Sequence, residues 1–206
     1  MSANQPKTYY HWGPYLHKTK LPQALCHDIL TRGRQTHTDH SRSLAGVIEK
    51  QFLLCEDDRK HIESILEEPL SVYVRERAVY HGEEVKVVSM QLDEVWINIM
   101  KPGDFNPPHN HVGGDISFVL YLQIPGGLQE EYEHNKSNNA GPGTIEFYYG
   151  QPDSWVTSGH KLLPQEGDLL IFPAQLIHFV QPYKSLGERI SVAGNIVSLS
   201  KGLPGQ

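Results

Sequence analysis

Cysteine, runs of a single charge and long apolar stretches are all scarce in this 206-residue sequence, and each shortage excludes something. Cys26 and Cys55 stand alone, without short metal-binding spacing, so neither a disulfide framework nor a zinc module is expected and buried packing is their simplest use. Lys and Arg number 18 against 24 acidic residues, for a net charge of −6, and no basic run occurs. The electrostatic footprint of a phosphate-backbone binder is missing, so nucleic acid is not an expected partner. No stretch approaches the roughly 20 apolar residues of a membrane span. The opening MSANQPKTYYHWGPYLHKTK lacks the apolar centre of a signal peptide, and a cytoplasmic protein is expected.

What is present is an ordinary globular composition, 38% hydrophobic and 20% charged. The chain reads as one compact unit in two parts. Over residues 1–83, a polar and aromatic arm (1–20) leads into LPQALCHDILTRG, which places Leu21, Leu25, Ile29 and Leu30 at helical spacing between Pro22 and Gly33. A polar connection follows, then SLAGVIEKQFLLC, which periodicity leaves open between strand and mixed segment. DDRKHIESILEE is a second helix; Pro69 should kink or interrupt it, and LSVYVRERAVY resumes it. Over residues 84–206 the character changes to short β-branched runs separated by Gly, Pro and Asn. Strands are expected near Val85–Met90, Val95–Met100, Ile116–Ile124, Thr144–Tyr149, Leu169–Phe172, His178–Gln181 and Arg189–Val197. The polar PGGLQEEYEHNKSNNAGPG between the third and fourth is too long for a hairpin and reads as a lid or mobile loop. The fold class is mainly β with N-terminal helices.

The chemistry concentrates in GDFNPPHNHVGGD, residues 103–115. His109 and His111 lie one residue apart, so on extended backbone both point to one face. Asp115 follows Gly113 and Gly114, which could turn its carboxylate to the same point. Downstream, GDLLIFPAQLIHFVQP supplies His178 at the end of an apolar strand and turn. Random placement of 12 histidines produces about one His-x-His pair, so the pair alone means little. Its setting, a Gly-Asp turn before the pair and a strand after it, matched downstream by a second Gly-Asp turn, strand, proline and histidine, is what makes a metal site with open positions the expectation.

Together WINIMKPGDFNPPHNH, GDISFVLYL, EGDLLIFPAQLIHFVQP and ERISVAGNI, about residues 90–197, resemble the 2-oxoglutarate- and iron-dependent oxygenase family found in bacteria and phages. The two Gly-Asp segments also resemble the paired motifs of cupins, with Asp115 in place of the usual Glu and Gln175 where a glycine is common. The resemblance implies a double-stranded β-helix, or jelly roll, holding ferrous iron in a facial triad. Two ligand sets stay open: His109, His111 and His178 with Asp115 nearby, or His109, Asp115 and His178 with His111 behind. It also implies that Arg189, eleven residues after His178, grips the far carboxylate of 2-oxoglutarate as a bidentate donor, with Ser191 adding a hydroxyl. The plainer alternative is that Arg189 only begins a strand and pairs with Glu188. Asn98 and Tyr121, polar inside apolar strands, are further candidates for lining the co-substrate site, or edge residues facing water. Trp96, Phe147, Tyr148 and Tyr149 are candidate pocket walls, with core packing expected of at least one.

The reading is a 2-oxoglutarate- and Fe(II)-dependent dioxygenase hydroxylating an unidentified primary substrate with oxygen, in a host cytoplasm if the chain is phage-encoded. One alternative keeps the fold and works as a metal dioxygenase or isomerase without 2-oxoglutarate. Another is a non-catalytic binding or structural module with a vestigial His cluster.

Overall fold

The computed structural model describes residues 13–85, 89–155 and 157–199. Most of the arm expected at residues 1–20, and the middle of the strand expected at Val85–Met90, lie outside them.

Two antiparallel sheets form the body. The larger has the order β1 (His17–Lys20), β9 (Asp168–Pro173), β6 (Ile116–Gln123), β11 (Arg189–Ser198), β4 (Met90–Met100), β3 (Lys50–Leu53) and β2 (Thr38–Asp39). The smaller has the order β5 (Asn106–His109), β10 (Ile177–Val180), β7 (Ile145–Tyr148) and β8 (Gly159–Leu162). Side chains of the two sheets meet in one core, which includes Val119, Tyr121, Leu170 and Phe172 from the large sheet and Ile145, Phe147 and Val180 from the small. This is the jelly-roll arrangement.

The other face of the large sheet carries α1 (Gln23–Gly33) and α2 (Glu56–His81). Cys26 and Ile29 of α1, with Ile62, Leu66, Leu70 and Tyr73 of α2, pack on Ile97, Ile99, Leu120, Leu169, Ile171, Ile190 and Val192. Because successive strand residues face opposite ways, each central strand sends alternate residues to the helices and the rest to the small sheet. Burial on both faces is why these strands read as continuous apolar runs. Gly33 lets α1 sit close, since a Cβ there would stand 2.5 Å from Ile97 Cδ1.

The expected α1 is present. The interruption expected at Pro69 is not: α2 runs through it as one 26-residue helix. The proline costs the bond to the Ile65 carbonyl, and the apolar stripe on both sides of it keeps the helix against the sheet. Glu56, Asp57 and Asp58 suit its N-terminal dipole, and Gly82 ends it with a left-handed φ of 68°. The N-terminal part, expected as arm and helices, also supplies β1, β2 and β3 to the large sheet. β5 and β8 are further strands without an expected counterpart. The expected lid contains a short helix α3 (Leu128–Glu133), with Leu128 fully buried. Glu131 takes the backbone N–H groups of Lys184 and Ser185 and the Ser185 hydroxyl, so this segment is tied down. Among the described residues no helix is long and apolar enough to cross a membrane.

Leu66, 1% exposed at the centre of the helix–sheet layer, tests the packing. Leu66→Ala is expected to destabilise the fold by about 2–5 kcal/mol, read as a lower urea midpoint with an unchanged slope.

Candidate active site

The small sheet places the first two histidines. β10 pairs with β5 so that His178 stands directly across from His109. His111 lies just past the end of β5, where its backbone N–H bonds to the Ala174 carbonyl and brings its ring to the same point. The three rings are mutually close, with centroids 4.3 Å apart for His109 and His178 and 5.2 Å for each with His111. One ligand atom from each lies within 4.8 Å of the others, a spacing that modest side-chain movement closes around a single ion.

Tautomers follow from the backbone. His109 Nδ1 lies 2.7 Å from the Pro107 carbonyl and His178 Nδ1 lies 2.9 Å from that of Leu176. A carbonyl only accepts, so both Nδ1 atoms carry the proton and both Nε2 lone pairs are left for a metal. Burial, with the neighbouring imidazoles, pushes His111 down to about 4 and His178 to about 3, and burial lowers His109 as well. The cluster is neutral at physiological pH, as ligation requires.

Asp115 is not brought to this point. Gly113, with a φ of 107°, turns the chain, and the Asp115 N–H then bonds to Ile196 while its carboxylate accepts the Ser198 N–H at 2.7 Å. Its side chain ties the start of β6 to the end of β11, away from the cavity wall.

That wall encloses about 180 Å³, the scale of a small metabolite rather than a drug-sized ligand. The three histidines lie on it, and so does Arg189. Arg189 is 2% exposed and has no carboxylate partner among the described residues. Nη1 donates to the Gly143 carbonyl, Nη2 faces the Met100 thioether at 2.7 Å, the Tyr121 ring lies 5.7 Å away, and Nε is unpartnered. Glu188 pairs instead with Arg34 at 3.1 Å. Burial works against the guanidinium charge, so this cation is held where an anionic ligand would compensate it. Its position is fixed by Tyr183, whose hydroxyl donates to the Met100 carbonyl and accepts the Arg189 N–H. Gly143 also matters here, because a Cβ would stand 2.7 Å from Leu128.

Ser191, Asn98 and Tyr121 share the wall with Arg189. Strand register sets them in one row, with Ser191 beside Asn98 on one side and Tyr121 on the other, and extends the row to Gln51 on β3. Trp96 is also on the wall, its ring 5.6 Å from that of His111. Phe147 backs His178 from within the core. Tyr148 and Tyr149 are exposed and form no part of the wall. Residues without an expected part in the site are Gln51, Tyr183, Asn106 and the segment Ser43–Ala45. The available signal for Gln51 was a carboxamide inside the apolar run QFLL.

The family model described as "Putative 2OG-Fe(II) oxygenase" matches residues 94–195, just under half of the chain, from within β4 to within β11. Residues 94–195 carry this family's oxygenase domain. The protein is an oxidoreductase, a dioxygenase that uses ferrous iron and 2-oxoglutarate. No curated protein matches. Among solved structures, the oxygenase is similar to a viral collagen prolyl hydroxylase from Paramecium Bursaria Chlorella virus-1 (TM-score 0.55, 16% identity, covering 88% of this chain and 95% of that one). It is also similar to a prolyl-4-hydroxylase of Pseudomonas putida (0.54, 17%, 91% and 93%). A third is an oxidoreductase of the 2OG-Fe(II) oxygenase family from Burkholderia pseudomallei (0.57, 12%, 87% and 84%). At these identities the likeness is one of fold.

The depressed histidines make the metal-free oxygenase acid-sensitive. Unfolded, these imidazoles take up protons near pH 6.5; folded, His111 and His178 do so only near 4 and 3. Their contribution to stability is complete above pH 6.5 and declines as pH falls from there toward 3. The urea midpoint of metal-free protein is expected to drop between pH 7 and pH 5, with a shallower drop for His178→Leu. Equal slopes would contradict this.

Proposed function

We propose that His109, His111 and His178 hold the ferrous iron, that Arg189 with Ser191, Tyr121 and Asn98 receives 2-oxoglutarate, and that the enzyme hydroxylates a small substrate. The observation that carries this is the buried guanidinium without an acid, on the same small cavity as three neutral imidazoles. The donor set suits the metal: two histidines present Nε2 with Nδ1 already engaged, and imidazole is a good ligand for iron. Bound together, iron and 2-oxoglutarate supply oxygen activation driven by decarboxylation to succinate. The chain's own residues bind and orient. The guanidinium, held by Gly143, presents N–H donors to a carboxylate, which bonds to it with charge assistance. Trp96 and Phe172 wall off water around the imidazoles. The matched β4–β11 core with the N-terminal strands and helices packed on it acts as one catalytic unit. Free Cys26 and Cys55, with the need for ferrous iron, support a reducing, cytoplasmic setting. Asp115, committed to Ser198, is not assigned to the metal.

Anaerobic reconstitution with iron, followed by measurement of succinate formed from 2-oxoglutarate under air, tests the reading as a whole; no iron-dependent succinate would sink it. Two sets of variants test its parts. His109→Ala or His178→Ala should abolish stoichiometric iron uptake, and Asp115→Asn should leave it intact. Arg189→Met should keep its iron and bind 2-oxoglutarate about 10- to 100-fold more weakly by calorimetry, the loss of a charge-assisted contact. Unchanged affinity would remove Arg189 from the site.

A further inference from the structure

Two residues that line the cavity carry a buried polar atom with no partner among the described residues, Arg189 Nε and Gln51 Oε1. The first is of opposite sign to the co-substrate, as a carboxylate site needs. The second is not. Gln51 is 1% exposed on β3, and its Nε2 donates to Asn98 Oδ1 at 2.8 Å, which leaves the carboxamide oxygen as an unanswered acceptor. At neutral pH 2-oxoglutarate carries only carboxylate and keto oxygens, all of them acceptors, so it cannot satisfy this atom. Buried polar groups in folded proteins find partners, and the missing one must bring a proton.

The corner around Gln51 is built by neighbours that belong to the site. A Cβ on Gly46 would run into Asn106 Oδ1 and stand 2.9 Å from Gln51 Nε2, so Gly46 closes the corner over these two carboxamides. Asn106 opens the strand that ends in His109. Gln51, Asn106 and the three histidines line the same cavity. Gly46 and Gln51 precede residue 94, where the family match begins, whereas Asn98 and Asn106 lie within it.

We propose that Gln51 Oε1 is the acceptor that selects the primary substrate, which is a small molecule bearing an N–H or O–H donor, such as an amide, amine or alcohol. This rests on the function proposed above, because it assigns the rest of the cavity to the metal and to 2-oxoglutarate. A bare hydrocarbon, or an acid whose only polar atoms are acceptors, does not fit.

The test uses the full chain, ¹⁵N-labelled and metal-free, so that it stands apart from iron loading. The Gln51 side-chain amide cross-peak is assigned by its loss in Gln51→Leu, with Gln51→Glu as the second variant if leucine prevents folding. The unmodified protein is then titrated to millimolar concentration with N-methylacetamide, its donor-free analogue N,N-dimethylacetamide, and acetate. A saturating shift at least threefold larger for N-methylacetamide than for either other probe is expected. Equal shifts for the two amides, or no shift with any probe, would overturn the proposal. A larger shift with acetate would also overturn it, because the carboxamide would then be turned to donate and would belong to the co-substrate site. Failure of the functional reading shows elsewhere, as absent iron-dependent succinate, and leaves this titration readable.

Discussion

A sheet covered on both faces has to sort its residues strand by strand, and the site depends on that sorting. In β11, Ile190 and Val192 face the helices while Arg189, Ser191 and Ala193 face the small sheet. β4 divides Ile97 and Ile99 from Trp96, Asn98 and Met100 in the same way. A one-residue slip in the β4–β11 register would carry Arg189 into the helix layer and leucine-sized side chains into the cavity. The helices hold that register from behind, through Ile62, Leu66 and Leu70. Their contribution to chemistry is positional.

On the proposed assignment the centre has three neutral ligands and no carboxylate. The cavity also holds the Arg189 cation. An ion of charge two would then meet no protein charge of opposite sign on the cavity wall, and a dianionic co-substrate would be its natural complement. Burial and the neighbouring imidazoles keep these ligands neutral.

Much of this was legible in the residues. His109 and His178 are each marked by a preceding Gly-Asp turn, and Arg189 by its distance from His178. The β-branched runs gave the central strands because burial on both faces writes continuous apolar segments. Asp115 was not legible, since its four-residue offset from His111 reads the same whether Gly113 turns the chain toward the histidines or toward β11. β5 was hidden by Pro107 and Pro108, which look like a turn. β1, β2 and β3 are two to four residues long and exist because β9 and β4 offer edges to them, a non-local cause that local periodicity does not record. Pro69 does not interrupt α2 for a related reason, as packing on both sides outweighs one lost bond.

Those same prolines bear on how the molecule behaves in a crowded solution. β5 is an outer strand, and consecutive prolines remove two N–H donors from its backbone. At the far side of that sheet β8 is only four residues. The large sheet ends in β1, where Lys18 and Lys20 pair with Asp168, and in β2, two residues long. Among the described residues every lateral border is short, charged or donor-poor, so none of them is a good template for strand addition by a second chain. Pro107 joins this protection to the chemistry: the residue that caps the border is also the one whose carbonyl orients His109.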